Sequence, residues 1–158
     1  MKHLYAPWRK KYFEEKEDGC VFCQAPKSKS AQIIWRGEHC YLVMNKYPYT
    51  LGHFLVIPYA HECFLEDIDE ETWQEMSKYA KLGEKILRKY LHAGGVNLGM
   101  NLGSAAGAGI APHLHYHVLP RWSGDTNFIT TIAGARVLGS VEDEIFARLK
   151  EAFNLELE

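Results

Sequence analysis

Three histidines at alternate positions, His113, His115 and His117, are the residues of this sequence best suited to chemistry. They stand in the run Pro112-His113-Leu114-His115-Tyr116-His117-Val118-Leu119-Pro120, just after the small-residue tract Gly103-Ser104-Ala105-Ala106-Gly107-Ala108-Gly109. In an extended strand successive side chains point to opposite faces. The three imidazoles therefore share one face, and Leu114, Tyr116 and Val118 share the other. The second face suits a core. The first does not, because each ring carries polar atoms that need partners. Imidazole serves as nucleophile, general acid or base, anion donor or metal ligand. Histidines at i and i+2 can share an ion, but no carboxylate lies between Glu84 and Asp125 to complete a catalytic metal set. The Gly and Ala of the preceding tract favour phosphate chemistry. They let the backbone approach a ligand closely and can turn several N–H groups toward an anion.

The elements that must position this strand can be read in outline. Pro7–Lys16 reads as a short helix with Pro in its first turn, broken by Gly19. Three strands follow, over 32–35, 39–45 and 52–58. The turn chemistry of Lys46-Tyr47-Pro48-Tyr49-Thr50-Leu51-Gly52 joins the last two as a hairpin. Residues 67–92 form the clearest helix. Asp67 and Glu70 make a capping pair, or Asp69 the cap, and Trp73, Met76, Ala80, Gly83, Leu87 and Tyr90 form one stripe. Gly94-Gly95 is expected to end it. A strand over 96–101, the small-residue loop and the histidine strand come next, and Ser140 can cap a last helix over 141–153 with Ile145, Leu149 and Phe153 on one side. A hairpin, a helix and a further strand pair predict an α+β domain, an antiparallel sheet with one main helix packed on it and short helices at the two ends.

Composition narrows the function. A chain of 158 residues with 47% apolar and 24% charged residues is that of an ordinary globular protein, read as a single domain over 1–158 with its core about 20–130 and a C-terminal extension over 131–158. No apolar run is long enough to span a bilayer, and Met1-Lys2-His3-Leu4-Tyr5 leads into charge, so a cytoplasmic protein without a membrane partner is expected. A net charge of −2 gives no long-range attraction to nucleic acid. The four Cys, at 20, 23, 40 and 63, then read as thiols or metal ligands rather than disulfides. Cys20 and Cys23 have the spacing of half a zinc site, which His must complete because no second Cys-x-x-Cys exists; the alternative is two small buried thiols.

The run His113-Leu114-His115-Tyr116-His117-Val118-Leu119 resembles the signature of the histidine-triad (HIT) family of nucleotide hydrolases and transferases, His-φ-His-φ-His-φ-φ with φ apolar. The resemblance extends to Asn45, to the strand Gly52-His53-Phe54-Leu55-Val56-Ile57-Pro58, and to Gly103 and Gly107, covering most of 20–130. With the segment from Pro120 to Phe128, it is nearest the branch that acts on dinucleoside polyphosphates, including diadenosine tetraphosphate phosphorylases.

The resemblance implies a HIT-like fold and cleavage of AMP-linked substrates through a nucleotidyl-histidine intermediate, with His115 as nucleophile. Asn101, Ala108, Gly109, His117 and His53 are then the phosphate contacts, and Asn45 the ribose contact. Trp122 either stacks on a second base or packs after the strand end, and Ile33, Leu42 and Ile57 are either base pocket or sheet core. Several relatives place a hydroxyl or Gln just before the triad, where this chain has Ala108-Gly109-Ile110, which leaves water and inorganic phosphate both open as final acceptor. A structural zinc held by Cys20, Cys23, His61 and His113 is implied, with Mg²⁺ accompanying the substrate, and His113 is either that ligand or a group acting on the leaving group. A homodimer is implied too. Two other readings stand beside this one, a zinc-dependent hydrolase using the triad as ligands and a nucleotide-binding module without turnover.

Overall fold

The computed structural model describes residues 19–126, 128–133 and 142–158. The expected helix over 7–16 and the Ser140 cap lie outside the described residues. A four-residue helix α1 (Val21–Gln24) leads into strands β1 (Ile33–Arg36), β2 (Cys40–Met44) and β3 (Phe54–Pro58). Helix α2 (Glu70–Tyr90), strands β4 (Gly95–Gly99) and β5 (Tyr116–Arg121), and helices α3 (Phe128–Ala133) and α4 (Glu142–Leu157) follow. The strands form one sheet in the order β1-β2-β3-β5-β4, with every neighbouring pair antiparallel. The α+β expectation, the β2–β3 hairpin and the main helix hold.

Both faces of the central hairpin are covered, so all ten residues of β2 and β3 are buried. On one face Leu42, Met44, Phe54 and Val56 join Met76, Ala80 and Leu87 of α2 and Leu149 and Phe153 of α4. Leu114 and Val118 enter this core, and Tyr116 packs against it, as the alternation predicts. On the other face Tyr41, Val43, Leu55 and Ile57 meet, among the described residues, Phe22 and its neighbours in and around α1, Ala31, Ile33 and Ile110. The Tyr41 hydroxyl donates to the Phe22 carbonyl at 2.6 Å and ties α1 to the sheet. This thinner layer leaves room for a cleft.

Helix α2 takes the second of its two expected caps and departs from expectation at its C-terminal end. Asp69, not Asp67, is the cap: its carboxylate accepts from the Thr72 N–H at 2.7 Å and from the Thr72 hydroxyl at 3.0 Å. The helix ends before Gly94-Gly95, with His92 in the left-handed region (φ 53°) and the Ala93 N–H returning to the Leu87 carbonyl. Gly95 instead opens β4. The buried stripe runs through Thr72, Met76, Tyr79, Ala80, Gly83, Ile86 and Leu87, whereas Trp73 is half-buried and stacks on Tyr116. Helix α4 continues past the expected end at 153, and its Glu156 takes Lys85 and Lys89 of α2. Glu75 of α2 accepts the N–H groups of Glu38, His39 and Cys40 at 2.7–3.0 Å, fixing the β1–β2 turn to the helix.

Gly83 is required by close approach. A Cβ at this position would lie 2.5 Å from Phe54 Cζ, and Phe54 is itself locked edge-to-face against Phe153 at 5.8 Å. In an exposed helix Gly→Ala stabilises by about 1 kcal/mol. Here overpacking reverses the sign, and Gly83→Ala is expected to cost roughly 1–3 kcal/mol. Chemical denaturation of Gly83→Ala, Phe54→Leu and the double variant checks this: the double variant should be more stable than the sum of the single losses. Strict additivity would show that the two residues do not compete for the same space.

Candidate active site

The strand pairing carries His117 to the middle of the sheet, opposite Leu55 on β3 and Gly99 on β4. Residues directly opposite share a face, so His117 lies with Leu55 on the thinly covered side. His53 lies two residues before Leu55 and belongs to that face too. His115 and His113 precede the hydrogen-bonded part of β5, yet alternation continues through them because Leu114 is buried in the helix-side core. The chain is held extended there by the Leu114 N–H, which donates to the Glu62 carbonyl at 2.7 Å. This bond and the Cys63 thiol on the Ala111 carbonyl (3.1 Å) draw the segment around His61 alongside the histidine run.

The cleft on this face has a volume of about 1290 Å³. Phe22, Val43 and Leu55 form its apolar wall, and Asn45, His115 and His117 supply polar groups. Such a wall with a few convergent polar atoms suits a nucleoside-sized ligand.

Each imidazole is held by one nitrogen, and that fixes the role of the other. His115 Nδ1 lies 3.0 Å from the His113 carbonyl. A carbonyl only accepts, so Nδ1 carries the proton and Nε2 the lone pair. His113 Nε2 lies 2.9 Å from the Pro58 carbonyl, which places its lone pair on Nδ1. That atom faces Cys20 Sγ at 3.3 Å and Cys23 Sγ at 3.5 Å, and His61 Nδ1 lies 3.2 Å from Cys23 Sγ. Burial lowers the pKa of His113, despite the Pro58 carbonyl, and that of His115, despite the His113 carbonyl. Phe22 covers both rings, at 5.7 and 4.9 Å between centroids.

The ligand atoms of Cys20, Cys23, His61 and His113 all lie within 4.8 Å of one another. A tetrahedral zinc with Zn–N near 2.0–2.1 Å and Zn–S near 2.3 Å has ligand–ligand edges of roughly 3.3–3.8 Å. Three Cys–His separations, 3.2–3.5 Å, are close to such edges, and the two-sulfur, two-nitrogen set suits the same ion. The residues present fit the metal.

Three expected contacts are engaged elsewhere, and a fourth does not line the cleft. His53 is fully buried behind His117, with its Nε2 at 2.9 Å from His117 Nδ1, so it cannot reach a phosphate itself. The Ala108 N–H turns inward to the Gly103 carbonyl at 3.4 Å, within a loop whose Gly103 and Gly107 both have left-handed φ; Gly109 does line the cleft. Asn101 is not among the residues lining the cleft. Trp122 packs against the helix-side core and donates its indole N–H to the Leu91 carbonyl at 3.2 Å, away from the cleft.

Asn45 lines the cleft as expected, but its amide is engaged, accepting from the Tyr47 N–H at 3.0 Å and reaching His53 Nδ1 at 3.2 Å. Leu42 faces the helix side and Ile57 is buried under α1, so both are sheet core, and Ile33 packs with Ile57. Sequence reasoning passed over Val43, Leu55, Phe22 and Tyr49, whose ring lies nearly parallel to His117 at 5.7 Å. The strand parity of Val43 and Leu55 was the available signal.

A family model described as the HIT domain matches residues 27–124. The chain belongs to the HIT domain family. Among its relatives, a Mycobacterium tuberculosis protein named AP-4-A phosphorylase is 35% identical over 150 residues, covering 87% of this chain and 77% of that one. An uncharacterised HIT-like protein of Saccharolobus solfataricus is 30% identical over 112 residues, covering 70% and 79%. Among solved structures, a Zn-bound histidine triad family protein from Mycobacterium smegmatis has a TM-score of 0.72 and 31% identity, covering 87% of this HIT chain and 94% of its own. A histidine triad nucleotide-binding protein from Sulfolobus tokodaii has a TM-score of 0.70 and 29% identity, covering 86% and 93%.

The buried pair His53–His117 gives this HIT site a pH signature. Burial, reinforced by His117 and His115, pushes His53 down to about 3. Burial and then His115 push His117 down to about 4. Unfolded, both rings take protons near pH 6.5. Between these values the unfolded chain binds more protons than the folded one. Their stability contribution is therefore complete above about pH 6.5 and is lost as pH falls toward 4, at up to roughly 1.4 kcal/mol per pH unit per proton. Urea denaturation between pH 7 and 5 should show a shallower slope in His53→Phe than in the parent. Equal slopes would mean that His53 is not held neutral by the fold.

Proposed function

We propose that this chain cleaves the phosphoanhydride bond next to an adenosine monophosphate, in substrates of the dinucleoside polyphosphate class, through a covalent nucleotidyl-His115. The observation that carries this reading is the bond from His115 Nδ1–H to the His113 carbonyl, which leaves the Nε2 lone pair for attack from a ring lining the cleft. Nε2 attacks the α-phosphorus, a P–N bond forms and the bridging P–O bond breaks, releasing the distal nucleotide. Water or inorganic phosphate then attacks the same phosphorus and the P–N bond breaks, giving AMP or ADP. The nucleoside lies along Phe22, Val43 and Leu55 beside Asn45, with the phosphates toward His117 and Gly109. Ala108 and Trp122, whose N–H groups are engaged elsewhere, take no direct part. Identity to a relative named AP-4-A phosphorylase supports phosphate as the acceptor.

Zinc at Cys20, Cys23, His61 and His113 is structural in this reading. All four protein ligands are supplied, and the ion would tie the N-terminal segment to the histidine run. Magnesium, where it takes part, arrives on the substrate's phosphates. The three triad rings do not converge on one point: His113 Nδ1 faces the thiols and His117 Nδ1 faces His53, which speaks against a catalytic ion held by the triad. The protein is further read as a cytoplasmic homodimer joined along β4, whose Asn97 and Leu98 are exposed, with α2 beside it. Light scattering tests that assembly.

Quenched single turnover with dinucleotide labelled at the α-phosphate is expected to trap label on the protein at His115, and His115→Ala to lose at least about a thousandfold in turnover. Diadenosine tetraphosphate supplied with inorganic phosphate should yield ADP. Unlabelled protein together with full turnover in His115→Ala would refute the nucleophile, and AMP binding without any product would make this a binding module. For the metal, elemental analysis should find one zinc per chain. Chelation should lower the thermal midpoint, and Cys23→Ser should abolish retention of the ion.

A further inference from the structure

Cys20 and Cys23 flank a single turn of chain, with Phe22 between them. Cys20 is half-buried and lines the cleft, and Cys23 is exposed. A small oxidant in solvent therefore meets Cys23 directly and Cys20 from the cleft. The other two cysteines are less open to it. Cys40 is fully buried, and the half-buried Cys63 thiol donates to the Ala111 carbonyl at 3.1 Å. Cysteine oxidation follows exposure and thiolate character. Sulfur that ligates a metal is thiolate, so a loaded cluster holds the reactive form at the surface.

The two sulfurs lie within 4.8 Å of one another. A shared tetrahedral zinc holds such a pair roughly 3.8 Å apart, and a disulfide draws it to about 2.05 Å. The two states exclude each other, because a disulfide sulfur has no thiolate charge to give the ion. What remains of the cluster is then two imidazoles, His61 and His113. The loss reaches the nucleophile by two short routes. The His113 ring faces the sulfurs through Nδ1, and the His113 carbonyl takes the His115 Nδ1 proton at 3.0 Å. With its ring freed from the cluster, His113 keeps only the Pro58 carbonyl on its Nε2. Phe22, which covers the His115 ring at 4.9 Å between centroids, rides on the turn that the disulfide contracts.

We propose that Cys20 and Cys23 form a thiol switch: a hydroperoxide joins them as a disulfide, zinc leaves, and the cleft loses an oriented His115. The proposal rests on the zinc and His115 readings above and adds their regulation. In the first step the Cys23 thiolate attacks the terminal peroxide oxygen. An S–O bond forms, the O–O bond breaks, and the departing oxide takes a proton from solvent. The Cys20 thiolate then attacks the Cys23 sulfur. An S–S bond forms, the S–O bond breaks, and hydroxide leaves and becomes water with a second solvent proton. The two sulfurs give up two electrons and the peroxide takes both. Zinc departs as Zn²⁺, since it has no redox chemistry of its own. A dithiol reverses the step through a mixed disulfide, returning two electrons and two thiols, and the ion can be bound again.

The zinc-loaded full chain, titrated with hydrogen peroxide beside a chromophoric chelator, is expected to release one zinc per chain as two thiols disappear. Peptide mapping should find Cys20 linked to Cys23, with Cys40 and Cys63 still reduced. Long-range proton–nitrogen spectra of the ligand-free chain, labelled at histidine nitrogen, should show His115 leaving its single Nδ1–H form. Turnover should fall by roughly 100-fold, as for a misplaced nucleophile, and return with dithiothreitol and zinc. Cys63→Ser should respond as the parent does. Zinc retained while the peroxide acts would overturn the proposal, and so would a chain that takes up no zinc. A Cys20–Cys23 disulfide that leaves the His115 spectrum unchanged would overturn it too, as would oxidation that no dithiol reverses. Zinc release, linkage and spectra need no substrate. If all three appear and no dinucleotide is cleaved, the failure belongs to the proposed reaction, and the switch is upheld.

Discussion

The interaction on which the site depends is the hydrogen bond between His115 Nδ1 and the carbonyl of His113. A neutral imidazole has one proton and one lone pair, so committing one nitrogen decides the other. The bond joins residues two apart, so it exists only while the intervening backbone stays extended. That backbone lies outside the ladder of β5, which begins at Tyr116. It is held instead by tethers at single atoms: the Leu114 N–H on Glu62, the His113 N–H on Ile110, and the His113 ring on Pro58. Orientation of the proposed nucleophile is therefore a property of one anchored peptide unit.

The sheet makes that unit useful by being unequal on its two faces. Helices α2 and α4 close one side completely, with Phe54, Phe153 and Gly83 fitted to within a single carbon. Among the described residues the other side carries α1, the segment around it and the loop at Ile110, and the uncovered remainder is the cleft. An imidazole buried on the closed side would need internal partners for both nitrogens. On the open side one nitrogen can be anchored in protein and the other left for a ligand. Burial on this face also keeps the rings neutral, because desolvation disfavours the charged form. A protonated His115 would have no lone pair to offer, so in the proposed reaction the apolar wall of Phe22, Val43 and Leu55 would serve the chemistry as well as the fit of a base.

Much of this was legible in sequence because side-chain direction depends on local dihedral angles. The two faces of the histidine run and most of the buried stripe of α2 followed from period, and the hairpin from turn chemistry. The Cys–His cluster was expected from a Cys-x-x-Cys spacing and a family likeness, and the fold brings all four residues together. Helix ends were less legible. Asp67, Asp69 and Glu70 offer competing caps, and the left-handed position fell to His92 although two glycines stood close by. The roles of His53, Ala108, Asn45 and Trp122 were not readable. Each turns on whether a polar atom is already satisfied, and that is set by partners far along the chain or by the exact path of a loop. His53 and His117 are 64 residues apart, and their contact follows from the β3–β5 register, which periodicity does not encode.

His113 joins two parts of the site that are chemically separate. Its ring is turned toward Cys20 and Cys23, while its carbonyl orients His115. A group with its lone pair directed at two thiols and its proton on Pro58 is poorly placed to protonate a leaving nucleotide. That argues for ligand over acid in the choice the sequence leaves open. The cluster and the nucleophile are then coupled through a single peptide. Displacing the His113 ring would rotate the carbonyl that holds the His115 proton, so anchoring the N-terminal segment also anchors the tautomer. His117 has a separate anchor in His53 and the backbone of the hairpin turn.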